Sequence, residues 1–144
     1  MALVPTMDFV GENIETLGLK GAFNTFRKGS KWHELLYPND EINLRIPDAF
    51  GPGYTMTKGV ITFCDIGPLD EMLAAHAPRN HAILLGKSIW TDDNVDAMNM
   101  LHALLGKIYD GASYDDEFSV IGIARPTWTT VKHFNKQPEP KEWR

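Results

Sequence analysis

The chain has 144 residues, 43% hydrophobic and 23% charged, a composition that fits one globular domain. Lys and Arg number 14 against 19 Asp and Glu, a formal charge of −5, which excludes a protein that coats long nucleic acid through many phosphate contacts. No apolar run reaches the roughly 18–20 residues that span a bilayer.

Residues 1–18 show no sustained period and read as an irregular N-terminal arm without a secretory pattern. Over residues 19–28, Leu19, Ala22, Phe23 and Phe26 recur at helical spacing, which predicts a short opening helix ended by Gly29. Ile42, Leu44 and Ile46 alternate along a strand over 41–46, and Phe50-Gly51-Pro52-Gly53 reads as a loop. A strand rich in β-branched and aromatic residues is expected over 58–66, followed by one or two helical turns over 69–75. Ala82 to Leu85 reads as a strand. The long helix spans 92–109, with Asp92 and Asp93 at its positive end and a buried stripe of Val95, Met98, Leu101, Leu105 and Ile108. Strands over 118–124 and 128–133 follow, and the tail 135–144 is expected to be mobile or docked on a protein partner. The order of elements predicts an α+β domain with a mostly antiparallel barrel of five or six strands.

The chemistry-bearing residues concentrate in one place. Arg27, Lys28, Lys31 and His33 lie within seven residues, around Gly29-x-Lys31-x-x-Glu34. Two readings stay open: the cations complement a helix C-terminus, or they form an anion or nucleobase site with Trp32 or His33 as stacking surface. Stacking is worth roughly 1–3 kcal/mol per base. Asp92-Asp93-Asn94-Val95-Asp96 has the spacing of a magnesium motif, but helix capping accounts for it. His76, His81 and Cys64 lack the short spacings of a zinc site, so neither metal nor cofactor is expected. No phosphate loop and no nucleophile elbow occurs, and Cys64 reads as an inert core thiol without a disulfide partner. That cysteine usage points to the cytoplasm, with no membrane partner.

Together these pieces resemble the ASCH family, a branch of the PUA-like β-barrels. Gly29-x-Lys31-x-x-Glu34 is similar to its G-x-K-x-x-E-x-R signature, and Pro38-Asn39-Asp40-Glu41-Ile42 to its G-D-x-I turn. The resemblance covers about residues 19–125, leaving the arm 1–18 and the tail 126–144 outside. Leu36 stands where the signature carries its last arginine, Asn39 where glycine is usual, and 74–91 looks like an insertion. The resemblance implies a PUA-like barrel with a short opening helix and one long helix. It also implies binding of RNA or nucleotides, or hydrolysis resembling that of small members that act on N4-acetylcytidine. Those enzymes use a lysine, a threonine three residues later and a glutamate near the start of the long helix. Lys31 matches the lysine, Glu34 replaces the threonine, and Asp93 or Asn94 falls near the helix start.

The leading expectation is therefore a small module that binds RNA or a modified nucleoside beside the motif, without extended DNA binding. Its binding residues would be Arg27, Lys28, Ser30, Trp32, His33 and Arg45. The second is an amidohydrolase of acylated pyrimidine nucleosides, with Lys31 as activating cation and Glu34 or Asp93 directing water. The third is a protein-interaction module that uses the C-terminal tail.

Overall fold

A computed structural model describes residues 4–9, 22–48, 51–85, 94–124 and 132–135. These form a mixed α+β structure around a six-stranded, mostly antiparallel sheet. The strands are β1 (Thr6–Asp8), β2 (Ala22–Lys28), β3 (Glu41–Pro47), β4 (Tyr54–Pro68), β5 (Glu117–Ala124) and β6 (Lys132–Phe134). The helices are α1 (Lys31–Leu35), α2 (Leu69–His76), α3 (His81–Leu85) and α4 (Asn94–Ile108). The sheet runs β1-β3-β4-β5-β2, with β6 beside β4, and only the β1–β3 pair is parallel.

The expected opening helix is a strand. Ala22 to Lys28 pairs antiparallel with β5 along its whole length, Ala22 opposite Ala124 and Lys28 opposite Phe118. Helical spacing would put Phe23 and Phe26 on one face; in a strand they point to opposite faces. Both faces of this sheet are covered, so each phenylalanine finds its own core. Met7, Phe23, Trp32, Leu44, Ile61 and Ile123 belong to one cluster, whereas Phe26, Leu73, Leu101, Leu105 and Phe118 belong to the other, beneath the helices. The continuous apolar run of β5 follows from the same layering, with Phe118 and Val120 on one side and Ile121 and Ile123 on the other.

Residues from both edge strands, β1 and β2, join the first cluster, so the sheet curls. No backbone ladder links these edges among the described residues. A side chain spans the gap: Arg27 Nη2 donates to the Asp8 carbonyl at 2.8 Å. The pairing of β4 with β5 shifts register at a bulge between Ile61 and Phe63. The extra residue sends Ile61 and Phe63 to different clusters although they are two apart. Gly122 lies across from this bulge, where a Cβ would strike the Phe63 ring and the Thr62 hydroxyl.

Other expectations shift locally. Thr6–Asp8, read as part of an irregular arm, forms β1. Ala82–Leu85, read as a strand, lies in helix α3, because Asn80 Oδ1 accepts from the Ala82 amide at 2.9 Å and the Asn80 carbonyl accepts from Leu84. In α4 the buried row is Ala97, Leu101 and Leu105, while Val95 is 59% and Ile108 55% exposed. No helix among the described residues is long and apolar enough to cross a membrane.

Candidate functional site

The motif occupies a tight corner between β2 and β3. Gly29 leaves β2 with φ +87°, a left-handed conformation that glycine adopts without a Cβ penalty. Its amide donates to the Glu117 carbonyl and its carbonyl accepts from Ser119 Oγ at 2.6 Å, so β5 holds the corner on both sides. One helical turn, α1, follows. Trp32 is 3% exposed and packs in the first core, so it offers no face to a base, contrary to the stacking expectation. Lys31 and Glu34 are exposed. The Lys31 ammonium lies 5.6 Å from the Trp32 ring, and Glu34 Oε1 accepts from Ser30 Oγ at 3.4 Å. The turn after α1 holds Asn39 at φ +76°, and the Asn39 amide and the Asp40 carbonyl clasp Ile61 of β4.

The other members of the expected set diverge from this corner. Arg45 is buried and paired with Asp8, Nε to Oδ1 at 2.5 Å and Nη2 to Oδ2 at 2.8 Å, which raises its pKa further. That pair fastens β1 to β3. Lys28 pairs with Asp116 at 3.4 Å, and its amide donates to Tyr109 Oη. His33 lies near Asp65, whose carboxyl is held below the usual carboxylate range chiefly by a 2.7 Å hydrogen bond to His76, with His33 adding to the effect. Asp93 falls outside the described residues. Burial pushes the Cys64 thiol up, and its Sγ lies 3.4 Å from the Leu36 carbonyl, an arrangement suited to a core thiol.

Arg27 does something different. Arg27, but not Lys28, lines a pocket of about 320 Å³ between β1, β2, α3 and α4. Leu101, Leu105 and Phe26 supply apolar walls, and Thr25, Asn80, His81 and Tyr109 bring polar groups. Neither Lys31 nor Glu34 lines it. The Arg27 guanidinium lies 5.0 Å from the Phe9 ring centroid and donates from Nε to Thr25 Oγ1 at 3.2 Å. Burial lowers its pKa, with Tyr109 and Asp8 opposing, and it stays a cation.

His81 shares this pocket and is 8% exposed. Phe9 and Phe23 meet its ring edge-on, at 5.0 and 6.4 Å between centroids. Burial first, and the Arg27 charge second, push its pKa down to about 3, so the imidazole is neutral at physiological pH. Its Nδ1 has no hydrogen-bond partner among the described residues. The sequence offers a weak signal for this residue: a polar Asn80-His81 pair directly ahead of an apolar run. Spacing alone reads that pair as the edge of a strand. Among the described residues no group of three or more His, Cys, Asp or Glu side chains is arranged to hold a metal ion.

Comparison with family models, with curated proteins and with solved structures gives no match for this chain.

Proposed function

We propose that this chain is a small PUA-like module of the ASCH type that binds a nucleoside or a single RNA base in the Arg27 pocket. One observation carries the reading: half-buried Arg27 of the basic segment lines a concave, mostly apolar pocket of about 320 Å³, within the size range of small-ligand sites. A flat heterocycle suits such walls, and a cation with unused donors suits its carbonyl and ring-nitrogen acceptors. The acidic balance of the chain fits one base held locally better than a long phosphate track.

Two features support the family reading. The Asn39 position, where the family has glycine, holds φ +76°, a conformation that glycine and asparagine tolerate best. The curled sheet, with its edges bridged through Arg27, is close to a barrel in design. Hydrolysis would need Lys31 and a carboxylate at the wall that holds substrate; Lys31 and Glu34 lie outside the pocket, so the binding reading is the one developed.

Titration with a short single-stranded RNA at one fixed salt concentration tests the proposal. Arg27→Met should weaken binding by about tenfold or more, the scale of one charged hydrogen-bond donor. Lys31→Ala should cost less than Arg27→Met but more than changes at Lys136 or Lys141 in the tail. Equal losses at all these positions would mean diffuse electrostatics and no base pocket.

A further inference from the structure

The open edge of β2 carries main-chain groups that the fold leaves unmatched. Gly29 donates to the Glu117 carbonyl, so in this antiparallel register the odd-numbered residues of β2 turn their main-chain N–H and C=O to β5. Even-numbered residues turn theirs to the free edge. Several of these are engaged. The Ala22 carbonyl accepts from Arg79, the Asn24 carbonyl accepts from Asn80 Nδ2 at 3.4 Å, and the Lys28 amide donates to Tyr109 Oη at 3.3 Å. Phe26, between Asn24 and Lys28, is 4% exposed and lines the pocket, which lies on the side of β2 away from β5. Its N–H and C=O on that edge meet no partner among the described residues. A buried main-chain pair left open is rare, because both groups give up water without compensation.

We propose that the Phe26 main chain reads the base: its N–H donates to, and its C=O accepts from, the Watson–Crick edge of an unpaired base. The inference rests on the nucleobase reading above and specifies its ligand. All four bases carry an N–H donor beside an acceptor on that edge, so the pair asks that the edge be free and does not choose among them. A base inside a duplex has already given this edge to its partner. A pyrimidine has no second edge with such a pair. One open pair suits a flat heterocycle better than a peptide strand. An added strand would pair with Asn24, Phe26 and Lys28 in turn, and the first and last already have groups engaged. A bare anion would satisfy the N–H but set its charge against the C=O.

The experiment is a calorimetric titration of the wild-type protein with uridine, 5-methyluridine, N3-methyluridine and inorganic phosphate, with amide hydrogen exchange followed with and without uridine. N3-methyluridine, whose edge is blocked, should bind at least about tenfold more weakly than uridine, the scale of one lost buried hydrogen bond. 5-Methyluridine adds the same bulk elsewhere on the ring and should bind as uridine does. In the free protein the Phe26 amide should exchange faster than those of Thr25 and Arg27, which bond to β5, and uridine should slow it. N3-methyluridine matching uridine, or 5-methyluridine losing as much as N3-methyluridine, would overturn the main-chain reading and leave the nucleobase pocket standing. Uridine binding that leaves Phe26 exchange unchanged would do the same. Binding of phosphate alone, or of none of these compounds, would overturn both.

Discussion

His81 illustrates how a buried neutral group writes itself into stability. Its folded-state pKa of about 3 lies below the ordinary 6.5, so the unfolded chain binds more protons between those values. The stability that goes with the neutral ring is fully present above pH 6.5 and is lost as pH falls towards 3. From pH 7.5 to pH 5 the loss should reach roughly 2 kcal/mol. Urea unfolding of wild type and His81→Leu at both pH values should show this drop in the wild type alone; parallel drops would contradict a neutral buried ring. Two glycines should respond with opposite signs. Gly122→Ala presses a methyl group onto Phe63 and should destabilise by about 1–3 kcal/mol. Gly106→Ala, in α4 with open space around it, should stabilise by up to about 1 kcal/mol. Thermal unfolding of both variants would show the contrast, and a loss at both positions would contradict it.

Among the elements, β3, the second half of β4, α2, α4 and β5 were legible in the sequence because their periods or β-branched runs match single elements. The segment before Gly29 was not, because a strand buried on both faces has no alternation to read, and its two phenylalanines happen to be three apart. In α4 the stripe was legible at Leu101 and Leu105. Its ends were not, since Ala97 is fully buried and Val95 is exposed. Ala97 packs in the same cluster as Ala77, so small residues mark the close approach there. Ala97→Leu should therefore cost about 1–3 kcal/mol in chemical denaturation, whereas an unchanged stability would show a looser contact. Arg27 bridges the two edge strands, and Arg27→Met should leave the Asp8 carbonyl without that donor. Faster amide exchange at Phe9, whose N–H bonds to the Arg45 carbonyl, is the expected sign; unchanged exchange would mean that the pairing with β3 and the Arg45–Asp8 pair hold β1 without Arg27.

At the scale of the whole molecule, spacing drew attention to the basic segment but could not say which of its side chains line the pocket. The G-x-K-x-x-E motif shapes the corner after β2, with Trp32 in the core and Lys31 and Glu34 at the surface. Only Arg27, one residue before Lys28, carries charge from that segment into the pocket, where it meets Thr25 of its own strand and Asp8, His81 and Tyr109 from three distant stretches. That convergence depends on strand pairing across more than 100 residues of sequence, which no local period encodes. The central claim is that a base enters this pocket and does not sit on the motif helix. Amide NMR spectra recorded while a uridine-containing trinucleotide is added test it most directly. The account predicts saturable shifts at Thr25, Phe26, Arg27, His81 and Tyr109, with little change from Lys31 to Leu35; shifts confined to Lys31–Leu35, or none anywhere, would contradict it.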